Sequence, residues 1–134
     1  MQKYYASPKP TSPEIHFSPE ENIFLLRGIS SPEDVRETYY PVIEWINTFT
    51  SNVIEGKDKK YNSSFPLVLQ IDLEYFNSSS AKFIFDIVAD FHKITSVGVP
   101  VTVEWYYDEE DTDMQEAGAD IAALIGVEFI YKIK

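Results

Sequence analysis

Three consecutive serines, Ser78, Ser79 and Ser80, follow Asn77 at the point where a predicted strand meets a predicted helix. The carboxyl end of a strand is where α/β folds commonly place their sites. The free N–H groups and the dipole of a helix N-terminus also favour an anion there. A phosphate on Ser78 would add about −1.5 to −2 charge at neutral pH. The same residue types are typical of simple capping, with Asn77 or Ser78 as the cap, and on composition alone capping is the simpler interpretation.

A second candidate is the acidic run Asp108–Asp113, which has five carboxylates in six residues. A calcium-binding loop needs glycine at its sixth position and glutamate at its twelfth, whereas Asp113 and Ala119 stand there. The run is better explained as the approach to a helix N-terminus, where negative charge is favourable. The chain has no cysteine, which excludes thiol nucleophiles and zinc–thiolate sites. An enzyme built on scattered acids is the weakest function considered, and we expect no catalytic residue, metal or cofactor.

Hydrophobic periodicity predicts the elements that position these residues. Apolar and polar residues alternate in three of the strands, so one face of their sheet should be open to solvent, with helices packed on the other. Helices between strands favour right-handed crossovers and parallel pairing. The sequence therefore predicts a two-layer α/β domain of order ββαβαβαβ with a mixed, mostly parallel sheet. The predicted strands are Glu14–Ser18, Asn22–Gly28, Pro66–Phe76, Pro100–Tyr107 and Val127–Ile133, and the predicted helices begin near Ser31, Asn77 and Thr112.

Composition and charge limit the surroundings in which the chain works. Residues 1–13 hold three prolines among polar residues and are expected to form a flexible N-terminal tail, leaving residues 14–134 as a single domain. The formal net charge of −11 argues against binding to nucleic acid or to an anionic membrane surface. The sequence shows neither a signal peptide nor a long apolar stretch, so we expect a cytoplasmic protein.

Three segments in the same order resemble one known family. Tyr75–Lys82 (YFNSSSAK) and Trp105–Gly118 (WYYDEEDTDMQEAG) resemble two segments of the SiaC-type regulatory phosphoproteins of bacteria. Gly28–Glu33, followed by Tyr40, Pro41 and Trp45, is similar to the N-terminal pattern of that family. Together these segments extend over nearly the whole chain after residue 13.

The resemblance implies a STAS-like fold, akin to anti-anti-sigma factors, and no catalytic activity. It implies that a cognate Ser/Thr protein kinase phosphorylates Ser78 and that a PP2C-type phosphatase reverses this. It also implies that the unmodified form binds and stimulates a diguanylate cyclase, which raises cyclic di-GMP and favours biofilm. The family often has threonine at the position of Ser78 and serine at that of Ala81, which leaves Ser79 as an alternate phosphorylation site.

The expected partner surface surrounds Ser78. Trp105 should face the core, whereas Tyr106 on the opposite side of the same strand is the better candidate for partner contact. Asp72, Glu74 and Asp108 are expected near the site because parallel strands end at one edge. The alternative function is a constitutive acidic adaptor that is never phosphorylated. The predicted partner-binding residues are Asn77, Ser80, Lys82, Tyr75, Tyr106 and Asp108.

Overall fold

A computed structural model describes all residues from Met1 to Lys134. It contains six strands, three α-helices and one short 3₁₀ helix, Lys93–Val97. None of the helices is long and apolar enough to cross a membrane. In chain order the elements are β1 Tyr4–Ala6, β2 Glu14–Ser18, β3 Ile23–Ser30, α1 Val35–Ile54, β4 Leu67–Phe76, α2 Ser78–His92, β5 Val101–Tyr107, α3 Thr112–Ile125 and β6 Ile130–Ile133.

The six strands form one sheet in the order β1-β2-β3-β4-β5-β6. The first three strands pair antiparallel, and β3 to β6 pair parallel. Alternate residues of β4 and β5, such as Leu69, Ile71 and Trp105, are buried in a core shared with the helices, while the residues between them are partly exposed. The predicted mixed α/β sheet with helices on one face is confirmed. Its STAS-like character stays a prediction.

The N-terminal segment contributes a strand that the sequence did not indicate. Tyr4–Ala6 pairs with β2, and the indole Nε1 of Trp45 on α1 donates to the carbonyl of Gln2 at 2.9 Å. Nearby prolines and serines gave this segment the composition of a tail. Pairing with β2 and the contact to α1 are tertiary interactions, which override such local tendencies. The regular structure therefore begins at residue 4 rather than at residue 14.

The first helix begins later than predicted and continues through its proline. Asp34, not Ser31, is the N-cap, and its Oδ1 accepts from the N–H of Glu37 at 3.1 Å. Pro41 could kink the helix or split it near Tyr40, but α1 is not split and runs unbroken to Ile54. Its apolar face packs against the sheet and α2, so burial outweighs the loss of one backbone hydrogen bond.

A bulge interrupts the alternation of β4 just before the candidate site. Gly28 of β3 lies opposite Leu73, yet the next residue, Ile29, lies opposite Tyr75. Gly28 has φ +117°, a conformation that side chains with a Cβ rarely adopt. After the bulge Phe76 packs on Trp105 on the core side, and Tyr75 is exposed. The bulge thus resets which side chains face the core at the end of the strand.

Candidate functional site

Asn77 joins β4 to α2 and fixes the geometry of the junction. Its backbone N–H donates to the carbonyl of Ser30 at the end of β3, at 3.0 Å. Its side-chain Oδ1 accepts from the N–H of Ser80 at 2.9 Å, which makes Asn77 the N-cap of α2. Capping is therefore the role of Asn77, and Ser78 is left as the first residue of the helix.

Ser78 and Ser79 are both exposed in the first turn of α2. No acceptor within the chain receives a hydrogen bond from either backbone N–H, as is usual at the start of a helix. An exposed hydroxyl beside free donors and the positive end of a helix dipole is accessible to an enzyme and tolerates a phosphate. The geometry therefore permits modification at Ser78, the predicted site, and equally at Ser79, the alternate.

Ser80 differs from its two neighbours because it is completely buried. Its Oγ lies 2.8 Å from the Oγ of Ser30, which in turn lies 2.5 Å from the hydroxyl of Tyr39. Burial raises the pKa of Tyr39 to about 12. The prediction that Ser80 contacts a partner is corrected: its side chain points inward and fastens the first turn of α2 to β3 and α1.

A shallow depression of about 360 Å³ lies directly beside the exposed serines. It contains two cationic side chains, Arg36 from the first turn of α1 and Lys82 from α2. Lys82 also forms an ion pair with Asp86 at 3.4 Å and lies 5.1 Å from the ring centroid of Phe83. Lys82 is thus brought to the site as predicted, whereas Arg36 was missed.

A larger groove of about 700 Å³ runs between the outer faces of α1 and α2. It shares Tyr40, Lys82 and Phe83 with the depression beside the serines. Tyr40 is exposed and packs edge-on against Phe83, with ring centroids 5.9 Å apart. The sequence did not single out Tyr40 as a site residue. A large aromatic immediately before Pro41, outside the main apolar stripe, was the signal that could have identified it.

Tyr106 lies on the other face of the sheet from α2. Its hydroxyl donates to Glu104 Oε1 at 3.0 Å and accepts from Gln70 Nε2 at 3.1 Å. Burial, followed by the hydrogen bond to Glu104, raises the pKa of Tyr106. A partner that covers the serines would have to wrap around the sheet edge to reach this side chain. The structure does not bring Tyr106 together with Ser78.

Tyr75 and Asp108 lie at the carboxyl edge of the sheet. Tyr75 is exposed by the bulge in β4, and Asp108 is exposed immediately after β5. Asp72 is further back on β4 and is neutralised by Lys134, whose Nζ lies 2.7 Å from its Oδ1. Of the three acids expected near the site, only Glu74 and Asp108 are exposed without an ion-pair partner.

The acidic run after β5 serves the start of α3. Asp111 Oδ1 accepts from the N–H of Met114 at 3.0 Å, which makes Asp111 the N-cap of that helix. Asp113 lies in its first turn, where the helix dipole favours negative charge. The interpretation of this run as the approach to a helix N-terminus is confirmed for these two acids.

Comparisons with known proteins agree with this architecture. The model of the SiaC family regulatory phosphoproteins matches residues 6–132. An uncharacterized protein of Pseudomonas aeruginosa strain UCBPP-PA14 is 31% identical over 91 residues, which are 68% of this chain and 64% of that protein. The match thus spans slightly less than two thirds of that relative.

Solved structures from P. aeruginosa share the fold. SiaC is 25% identical with a TM-score of 0.74, and the alignment covers 100% of this chain and 98% of that chain. A crystal structure of the diguanylate cyclase SiaD in complex with its activator SiaC matches at 24% identity and TM-score 0.77, with 97% of each chain covered. Because the family match extends over nearly the whole sequence, the chain belongs to the SiaC family of regulatory phosphoproteins.

Proposed function

We propose that this protein is a non-enzymatic signalling switch of the bacterial cytoplasm, controlled by reversible phosphorylation of Ser78. The unmodified form binds and activates a diguanylate cyclase and so favours cyclic di-GMP production and biofilm. A cognate Ser/Thr protein kinase adds the phosphate, and a PP2C-type phosphatase removes it. Ser79 is the alternate acceptor.

The exposure of Ser78 is the observation that carries this proposal. A kinase must reach the hydroxyl, and Ser78 is exposed at the first position of α2, in contrast to the buried Ser80. The chain belongs to a family described as regulatory phosphoproteins, which supports phosphorylation as the signal. The P. aeruginosa relative SiaC is the activator of the diguanylate cyclase SiaD, which supports a cyclase as the partner.

The switch acts by changing what a partner must bury. The depression beside Ser78 continues into the groove between α1 and α2, so a partner lying in this groove reaches the serine hydroxyl. A neutral hydroxyl is covered at little cost. A phosphate introduces bulk and charge, and burying a charge without adequate pairing costs several kcal/mol. A loss of about 3 kcal/mol lowers the affinity roughly a hundredfold.

A constitutive acidic adaptor is the second candidate, and the net charge of −11 favours it. Such a protein would bind a basic partner without any modification. Intact-mass measurement of the protein isolated from its own cells distinguishes the two functions. The switch requires a fraction of molecules heavier by one phosphate, whereas the adaptor requires none.

Calorimetric titration with the cyclase encoded in the same genome tests the switch. We expect the unmodified protein and Ser78→Ala to bind equally, and authentic Ser78 phosphoprotein to bind roughly a hundredfold more weakly. Ser78→Asp should weaken binding less, because aspartate carries less charge than phosphate. Ser79→Ala, phosphorylated in the same reaction, identifies the acceptor. Equal affinity of the phosphorylated and unmodified forms would contradict the proposal.

A further inference from the structure

The sheet ends at a strand that nothing in the chain covers. All four residues of β6 are exposed, and three of them are large and apolar: Ile130 at 48%, Tyr131 at 37% and Ile133 at 60% relative exposure. An uncovered edge strand presents a row of unpaired backbone groups and is a template for pairing with another strand. Soluble proteins usually protect such edges with charge, proline or a covering element. The edge at β6 therefore requires an explanation.

The free backbone groups of β6 belong to alternate residues. The N–H of Lys134 donates to the carbonyl of Tyr107 on β5 at 3.1 Å. Because backbone groups alternate in direction along a strand, the N–H and C=O groups of Tyr131 and Ile133 point away from β5. Their side chains share the face of Trp105 and Tyr107, with which they are in register. Unpaired backbone and exposed apolar surface thus coincide at these two residues.

Lys132 of this strand and Lys134 directly after it do not block the edge. Lys132 reaches back to Glu104 on β5 at 3.8 Å, and Lys134 reaches Asp72 on β4 at 2.7 Å. Both ammonium groups lie over the open face of the same sheet rather than beyond its edge. A second strand can therefore pair with β6 without bringing either ammonium group into contact with apolar side chains.

We propose that a second copy of this chain pairs with this edge, β6 against β6 in antiparallel orientation about a twofold axis at Tyr131. In this register Tyr131 faces its own copy and Ile133 faces Phe129. These are pairs in which the outward backbone groups meet directly and exchange both hydrogen bonds.

Electrostatics favours the same register. Glu128, which forms no ion pair within the chain, lies opposite Lys134, and Lys132 lies opposite Ile130. Moving the axis by one residue to Lys132 would place two lysines face to face, which is destabilising. Such a pairing is self-complementary and closes as a dimer, as an isologous interface requires. The two sheets become one continuous sheet, in which Tyr131 of each copy covers Tyr131 of the other and Ile133 of each copy covers Phe129 of the other.

Light scattering coupled to size-exclusion chromatography tests the dimer over a range of protein concentrations. We expect the mass to rise with concentration toward twice the chain mass of 15.4 kDa. Ile133→Lys and Tyr131→Pro should remain at the mass of one chain, because the first places charge in the contact and the second removes an outward donor. Val97→Lys, a matched control at an exposed apolar residue of the 3₁₀ helix, should dimerise like the wild type.

Amide hydrogen exchange locates the contact in the unmodified protein. In concentrated solution the amides of Tyr131 and Ile133 should exchange more slowly than in dilute solution. The amide of Lys134, already bonded to β5, should change little. A mass of one chain at every concentration overturns the proposal. So does a dimer that survives both edge variants without concentration-dependent protection at Tyr131 and Ile133, or an assembly that grows beyond two chains.

Discussion

At the scale of single residues, the three serines of the junction have three different environments. Ser80 is locked inward by Ser30 and Tyr39, whereas Ser78 and Ser79 face solvent. The hydroxyl cluster connects the end of β3, the first half of α1 and the first turn of α2. It therefore holds the helix start in the position that presents Ser78 outward. Because this cluster is buried, the fold requires Tyr39 to stay protonated: an ionised Tyr39 hydroxyl would be a charge removed from water.

Tyr39 makes this requirement measurable at alkaline pH. Its pKa in the folded state is raised from 10.0 to about 12 by burial, so the fold favours the protonated form. The resulting stability is fully present below pH 10 and is lost as the pH rises toward 12, by roughly 2–3 kcal/mol in total. We expect urea unfolding of Tyr39→Phe to show a smaller loss over this interval than the wild type, although it starts about 1 kcal/mol less stable at neutral pH. If the free energy of unfolding falls equally with pH in the two proteins, this prediction is contradicted.

At the scale of elements, Trp105–Gly118, one of the segments that resemble the SiaC family, docks α3 onto the sheet. Trp105 is completely buried, and its Nε1 donates to the carbonyl of Met114 at 3.0 Å. Asp111 caps the helix, and Gly118 lies where the helix passes closest to the indole. Tryptophan, aspartate, methionine and glycine in this segment thus have packing and capping roles.

Gly118 provides the sharpest test of this docking. A Cβ at residue 118 would lie 2.7 Å from Cε2 and Nε1 of Trp105, which is far inside van der Waals contact. We expect Gly118→Ala to lower the free energy of unfolding by about 1–3 kcal/mol, despite the better helix propensity of alanine. In a Trp105→Phe background the cost should shrink, because the smaller ring leaves room for the methyl group. A double-mutant cycle in urea measures this coupling, and additive effects would show that the contact does not decide stability.

Local pattern predicted most elements, and tertiary contacts account for the differences. The alternation of apolar and polar residues in β4 and β5 predicted the two layers. The change to helical periodicity in α2 predicted the strand–helix junction at Asn77. The strand β1 and the bulge opposite Gly28 were not predicted, because each depends on a neighbouring strand rather than on its own residues. At the site, the sequence left open which residue caps α2. Arg36 was missed because its helix meets α2 only in the folded chain.

At the scale of the whole molecule, charge alone is a poor switch. The chain has 22 acids against 11 bases, and a phosphate would add about −1.5 to −2 to a net charge that is already −11. The long-range field that a partner meets would therefore change little. A large effect on binding requires the new charge to be placed where the partner must exclude water. The effect of the modification should then depend on position far more than on the amount of charge.

An aspartate placed far from the site distinguishes the effect of a charge's position from the effect of its amount. Ser63 is exposed in the loop that precedes β4, at the opposite end of that strand from Ser78 and roughly 30 Å away along it. We expect Ser63→Asp to leave affinity for the cyclase nearly unchanged, and Ser78→Asp to reduce it. At high salt concentration the Debye length falls to a few ångströms, so interactions between distant charges are screened. The cost of burying a charge in an interface remains. The ratio of affinities between unmodified and phosphorylated protein should therefore persist at high salt, and its collapse toward one would mean that long-range repulsion operates the switch.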